Sequence, residues 1–365
     1  MPVAEQRGGA EAMLLQLLRY HQAEDMEWVV VFTEAGPMIA QVECLGITTF
    51  HVAAGQLRSP RRYVGTVKKI AAIVRSEKAD GILSWMAKPH LYGAVAARLA
   101  KVPALWYQLG TPSNHWIDRV ATWLPAAGIL ACSRSVANAQ RQLPPARQVH
   151  VVFPGVDLER FDPDVLPTPG EARQLLNLPA EGPIVGMVGR LQRWKGMHVL
   201  IKAMPAILDH YPAAHCVIVG GQHPLEPDYR AYLDKLVAEL GLGDTVTMVG
   251  LHPNSEIWMQ AMDVVVHASD NEPFGLVVIE AMALAKPVVA GAGGGPTEII
   301  TDGIDGLLTA YGDENAMSSA ILRCLDSPDF AREIGALARA RAAEFATPLY
   351  ARKVSSVVRE ALGND

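Results

Sequence analysis

Short apolar runs alternate with stretches of helical period along almost the whole chain. In the first half the runs fall at residues 28–32, 48–52, 81–85, 104–108 and 128–132. Short runs of this length, bounded by helical stretches, read as strands. Between them lie helical stretches, for example residues 60–76 and 91–100; in the first, Tyr63, Val67, Ile70 and Val74 line one face. A second series of runs follows at 184–188, 216–219, 246–249, 264–268 and 287–290. Strand–helix–strand repetition implies parallel sheets with right-handed crossovers. Two such series predict an α/β chain of two Rossmann-like domains, with a ligand cleft between them at the carboxyl ends of the strands.

The series are separated by a Pro-rich passage that opens at Val151-Val152-Phe153-Pro154-Gly155-Val156-Asp157 and runs to Pro183. It carries Pro163, Pro167, Pro169 and Pro179 and shows no helical period, so it reads as a domain border. The first domain is therefore expected over residues 1–153 and the second over 154–345. Residues 330–345 and 349–362 form two further helical patterns, the second inside a terminal segment, 346–365.

Length and composition narrow the class. At 365 residues, half of them hydrophobic, the chain can bury two sizeable cores. A net charge of −6 removes any global basic footprint for nucleic acid. Cys44, Cys132, Cys216 and Cys324 are scattered, form no zinc spacing and read as reduced core thiols of a cytoplasmic protein. No apolar run approaches the ~18 residues of a membrane span, and the N-terminus has no signal-peptide pattern.

The chemistry is densest at Asn271-Glu272-Pro273-Phe274-Gly275-Leu276-Val277-Val278-Ile279-Glu280-Ala281-Met282. An apolar strand precedes it, a Gly-containing turn follows Glu272, and a helix is expected to open after Gly275. Unpaired N–H groups and the dipole at such a helix start suit a phosphate. Glu280, one turn inside, can accept hydrogen bonds from a diol, and Glu272 can reach a second polyhydroxyl group. Gly189-Arg190-Leu191-Gln192-Arg193-Trp194-Lys195-Gly196 closes another buried strand. There Arg190 supplies a planar fork and Lys195 a compact charge, a combination suited to a diphosphate. Arg193 reads as a solvated neighbour. Gly291-Ala292-Gly293-Gly294-Gly295-Pro296-Thr297-Glu298 follows a third strand, where glycine would let backbone approach a ligand or simply make a turn, with Glu298 a favourable first-turn charge.

The E-P-F-G-L-x-x-x-E-A-M pattern, together with the Arg190/Lys195 pair, resembles the signature of glycosyltransferase family 4. The resemblance spans nearly the whole chain and is most specific from Val151 to Ile300. It implies GT-B architecture, retention of anomeric configuration and a nucleoside-diphosphate sugar donor. On it, Arg190, Lys195 and Glu272 are the catalytic candidates. Donor binding is expected from Gly9, Arg190, Lys195, Glu272, Phe274, Gly275, Leu276 and Glu280. Gly8-Gly9-Ala10-Glu11 stands for the family's glycine loop, and the last helix is expected to cross back to the first domain. The resemblance further implies that no metal or other cofactor takes part, because the departing diphosphate oxygen receives the acceptor proton on the same face. Asp162-Pro163-Asp164 is formally a D-x-D metal motif, but it lies in the Pro-rich passage, and no Lys motif argues for pyridoxal phosphate.

The sequence departs from the family twice. The strand that normally precedes the glycine loop is reduced to Met1–Arg7, so the first domain is expected to have a missing or truncated first strand, or a start placed upstream. Leu109, before Gly110, stands where many relatives have a His near the transferred sugar. His115, six residues on, reads as structural. Two other readings stay open: a nucleotide-sugar 2-epimerase of the same architecture, and a catalytically silent nucleotide-sugar-binding protein. The acceptor is expected to be carbohydrate or lipid-linked, as in glycan, polysaccharide or glycolipid synthesis. Arg58, Arg61, Arg62, Lys68, Lys69 and Arg75 form a basic face in and beside the 60–76 helix. They could rest on the anionic inner face of the cell membrane.

Overall fold

The computed structural model describes residues 8–20, 26–54, 59–113 and 115–363. The chain divides into two compact units, residues 1–155 with 347–365, and residues 156–346.

The first unit runs α1 (Gly9–Arg19), β1 (Val29–Phe32), α2 (Met38–Glu43), β2 (Thr48–His51), α3 (Pro60–Ser76), β3 (Ile82–Trp85), α4 (Ala87–Ala100), β4 (Ala104–Gln108), α5 (Trp116–Trp123), β5 (Gly128–Ala131), α6 (Arg134–Arg141) and β6 (Val149–Val151). β1 and β2 form one parallel pair, and β3-β4-β5-β6 form a four-stranded parallel sheet. Val31 of β1 and Ile82 of β3 pack against a common apolar cluster built from Val67, Ile70, Ala71 and Val74 of α3 and Tyr92 and Ala96 of α4. The expected remnant strand at Met1–Arg7 lies outside the described residues.

The second unit runs α7 (Pro169–Leu175), β7 (Ile184–Val188), α8 (Met197–His210), β8 (His215–Val219), α9 (Tyr229–Glu239), β9 (Val246–Gly250), α10 (Ser255–Ala261), β10 (Val264–His267), α11 (Leu276–Ala283), β11 (Val288–Gly291), α12 (Pro296–Ile299), β12 (Leu307–Thr309), α13 (Glu314–Asp326) and α14 (Pro328–Ala342). Its parallel sheet has the order β12-β11-β10-β7-β8-β9, so the winding reverses between β7 and β10. Loops leaving the carboxyl ends of those two strands are neighbours, the usual place for a ligand in a doubly wound sheet. The sheet is sealed by fully buried Val185, Ile218, Val266 and Val289, with Leu200, Ile207, Leu233 and Ile321 from the covering helices.

α15 (Thr347–Leu362) returns to the first unit, where it packs beside α1. Buried Tyr350 donates to the carbonyl of Met13 at 3.4 Å, and its ring lies 6.4 Å from that of Tyr107. Tyr107 in turn donates to the Val152 carbonyl at 2.7 Å.

The Pro-rich passage is less irregular than its composition suggests. Pro169 occupies the first turn of α7, where its missing N–H costs nothing. Thr168 caps that helix in a capping box with Glu171. β6 and β12, three residues each at sheet edges, are too short to leave a periodic signal.

Candidate functional site

Gly189 follows β7, and the backbone N–H of Gly189 and Leu191 donate to the carbonyls of Val219 and Gly221 at 2.9 Å, extending the alignment with β8 past the strand. A single 3-10 turn, Arg193–Lys195, follows, and Gly196 then starts α8 with φ +79°. A Cβ on Gly196 would fall 2.0 Å from the carbonyl oxygen of Ala268, just beyond β10, so this turn sits directly on the end of the neighbouring strand. The Asp270 N–H donates to the Trp194 carbonyl at 2.8 Å, pinning the two loops together.

That geometry delivers Lys195 to Glu272. Lys195 Nζ donates to Glu272 Oε2 at 2.5 Å and lies 4.2 Å from the Trp194 ring centroid. Both side chains of the pair are largely shielded, at 15% and 11% exposure. His267, the last residue of β10 and 3% exposed, places Nε2 3.2 Å from the same carboxylate oxygen and 3.3 Å from Ser269 Oγ. Burial alone would raise the Glu272 carboxyl. The Lys195 ammonium and the His267 contact outweigh it and hold the group well below the usual carboxylate range. His267 escaped the sequence reading. The signal was available: it is the one polar side chain at the carboxyl end of an otherwise all-Val strand.

Gly294 braces the same loop from the β11 side. Its φ is +69°, and a Cβ there would meet the Glu272 carbonyl oxygen at 2.1 Å. The Gly295 N–H donates to that carbonyl at 2.7 Å. The glycine run at 291–295 therefore packs on the loop that carries Glu272, and its lack of side chains is explained by that backbone contact.

Phe274 is buried edge-to-face against Phe345, with ring centroids 5.9 Å apart. Gly275, at φ +107°, turns the chain into α11, leaving Leu276 at the first helical position. Glu280 sits half-buried in α11. Burial pushes its carboxyl up to about 7; the Arg160 guanidinium opposes the rise and the Glu256 carboxylate adds to it. Arg160 is itself held by Glu256 through Nε and Nη2, at 3.1 and 2.7 Å.

Because Glu280 keeps its proton to about pH 7 when folded, but loses it near about 4.3 when unfolded, the folded state binds more protons in between. Stability should therefore fall as pH rises through that window and level off above it. Glu280→Gln is expected to remove this slope. Urea midpoints of both proteins across the window test it, and parallel curves would refute it.

Arg190 follows Gly189 on the same loop as Lys195, partly exposed. His223, on the loop after β8, is lowered by burial and further by the positive charge of Arg190, which places the two near each other. Arg193 is more than a solvated neighbour. Although exposed, its guanidinium lies 5.3 and 4.9 Å from the Tyr229 and Tyr232 ring centroids, and its N–H donates to Glu226 at 2.8 Å. Gly9 opens α1 in the first unit. Of the sequence-derived candidates, the structure thus brings Lys195 and Glu272 into contact, puts Arg190 on the Lys195 loop, and sets Phe274, Gly275, Leu276 and Glu280 along the turn into α11.

Other residues singled out in the sequence lie elsewhere. Asp162 and Asp164 are both held by Arg339, at 2.7 and 2.9 Å, which is an ion-pair clamp within the second unit. Among the described residues no group of three or more His, Cys, Asp or Glu side chains is arranged to hold a metal. His115 caps α5, its Nδ1 accepting from the Ile117 N–H at 3.4 Å. Leu109 follows β4 directly.

Two units of this kind, with a cationic loop after β7 facing a carboxylate loop after β10, define the class of GT-B glycosyltransferases. Residues 170–341 match the family model for glycosyl transferases group 1, and residues 7–160 match that for glycosyltransferase family 4. The D-inositol 3-phosphate glycosyltransferase of Streptomyces griseus subsp. griseus is 30% identical, over 98% of this chain and 85% of its own length. That of Corynebacterium urealyticum is 37% identical over 50% of this chain. The alignment covers 44% of the latter, so the chain spans about half the length of several curated relatives it matches. Among solved structures, Anabaena Alr3699/HepE in complex with UDP and glucose aligns over 98% of this chain and 97% of its own, at 26% identity and a TM-score of 0.87. The chain belongs to glycosyltransferase family 4.

Proposed function

We propose that this chain transfers a sugar from a nucleoside-diphosphate sugar to an acceptor hydroxyl with retention of configuration. The observation that carries the reading is the Lys195–Glu272 pair at the β7/β10 switch point, with Arg190 on the same loop. In this reading Arg190 and Lys195 face the diphosphate. As the glycosidic bond breaks, negative charge gathers on the leaving diphosphate, and fixed cations there stabilise the transition state more than the ground state. Glu272, anchored through Oε2, offers its other oxygen to a sugar hydroxyl. Glu280 accepts from the ribose diol, so nucleotide binding should tighten as pH rises through about 7. The departing diphosphate oxygen takes the acceptor proton, and no metal is required.

The Anabaena structure holds UDP and glucose, which supports a uridine nucleotide as donor. The relatives' names make an inositol phosphate the first acceptor to assay, ahead of other carbohydrate or lipid-linked acceptors of cell-envelope glycan synthesis. The five exposed cations of α3, Arg61, Arg62, Lys68, Lys69 and Arg75, support work beside an anionic surface on the cytoplasmic side. Arg58 lies outside the described residues. Among those described, no helix is long and apolar enough to cross a membrane.

Calorimetric titration with UDP, GDP and ADP tests the donor site. Selective binding of one nucleotide, lost in both Arg190→Ala and Glu280→Ala, is the expected result; no binding by a folded chain would overturn it. A second reading, donor binding without transfer, is favoured by Leu109, which cannot hydrogen-bond a sugar hydroxyl. Slow donor hydrolysis that disappears in Arg190→Ala would exclude it.

A further inference from the structure

Helix α5 is amphipathic in the unexpected sense. Its buried residues are the small Ala121 and Thr122, whereas Trp116, Val120 and Trp123 are 51%, 43% and 72% exposed. These three recur at i, i+4 and i+7 and form one stripe, with Arg119 exposed beside it. Polar contacts at its C-terminal end hold the helix in place. Thr122 Oγ1 accepts from Gln140 Nε2 at 2.9 Å, and Arg147 donates to the carbonyls of Thr122, Trp123 and Leu124. A contiguous apolar stripe held towards water in this way marks a surface with a partner.

The chemistry of that partner follows from the rest of the layer. α5 packs on α4, and α4 packs on α3. Arg75 of α3 donates to the carbonyl of Leu99, itself an exposed apolar residue of α4. α3 and α5 thus flank α4, and α3 carries five exposed cations and no acidic residue in a chain of net charge −6. Asp118, the one acid on α5, is engaged with the N–H and hydroxyl of Ser113, at 2.9 and 3.2 Å. A second copy docking face to face would set like charges against each other. Tryptophan beside cations suits the headgroup zone of an anionic bilayer, where aromatic rings sit at the interface and cations meet phosphate.

We infer that α5 seats Trp116 and Trp123 in the headgroup region of an anionic lipid bilayer while α3 holds the surface electrostatically. Two weak signals of different kinds give stable attachment where one would not. The inference concerns the first unit alone and stands whether or not the donor site binds a nucleotide.

The test is flotation of the full chain with phosphatidylcholine vesicles with and without phosphatidylglycerol, alongside quenching of tryptophan fluorescence by brominated lipid. Co-flotation and quenching with the anionic vesicles only are expected. A Trp116→Ser/Trp123→Ser variant should lose about tenfold in partitioning and most of the quenching, with its circular dichroism unchanged. Val120→Asn should weaken binding in the same direction. Lys68→Glu/Lys69→Glu should weaken binding and flatten its salt dependence. Three results would each overturn the inference: no flotation, binding indifferent to the tryptophan variant, or a concentration-dependent dimer broken by that variant without lipid binding.

Discussion

Lys195→Ala is expected to lower transfer by about 10²–10³-fold, the usual loss when one fixed electrostatic donor is taken from a transition state. The variant should also change how the protein responds to acid. In the native chain burial pushes Glu272 up, and Lys195 with His267 pulls it below the ordinary carboxylate range. A carboxyl depressed by folding contributes stability above its unfolded value of about 4.3 and loses it as pH falls through the folded value. Without Lys195, burial remains and its main opponent is gone, so that contribution disappears and Glu272 moves towards protonation. Breaking a mostly buried ion pair from one side typically costs about 3–5 kcal/mol, because the other charge stays behind. Steady-state rates on the donor identified by titration, with acid-unfolding midpoints of both proteins, check the two halves. The rate loss in a Lys195→Ala/Glu272→Ala variant should be far from additive, since the pair acts as a unit. A Lys195→Ala protein with native rate and native acid midpoint would remove the pair from both roles.

Gly196→Ala should be among the most damaging single substitutions in the second unit. The position combines φ +79° with a Cβ site 2.0 Å from the Ala268 carbonyl oxygen. A left-handed backbone costs an L-residue about 1–2 kcal/mol. Displacing backbone in a packed region adds about 1–3 kcal/mol. Gly312 is the matched control: φ is +78°, with nothing within 4 Å of its Cβ site. Gly312→Ala should therefore cost only the first amount, and the difference in urea midpoints isolates the clash. Because Gly196 positions the turn bearing Lys195 against the end of β10, nucleotide affinity should fall in Gly196→Ala and hold in Gly312→Ala. Equal destabilisation of the two variants would show that the close approach to Ala268 carries no energetic weight.

Much of this architecture is written in local pattern. Apolar-rich runs of strand length, separated by helical stretches, suffice to predict two parallel α/β units, since period is a property of contiguous residues. The turn from Glu272 through Gly275 into the helix bearing Glu280 was equally legible, because one strand, one glycine and one helix start build it. Where local signal was thin, sequence reading stopped: β6 and β12 are three-residue edge strands, and α7 is defined by a cap rather than a period.

Which of these pieces meet depends on the packed fold. Lys195 and Glu272 touch across 77 residues because β7 and β10 are neighbours in the sheet, and strand order is set by how the crossovers wind. The same holds for Arg339 on Asp162 and Asp164, which turns a formal metal motif into a clamp. It holds too for Gly294, whose missing side chain serves the Glu272 loop. The outward stripe of α5 belongs here as well, since an apolar period predicts that a face will be covered and cannot say by what. Local pattern sets most elements and the residue types available at their ends; side-chain partners far apart in the chain are chosen by packing, where a whole sheet must close at once.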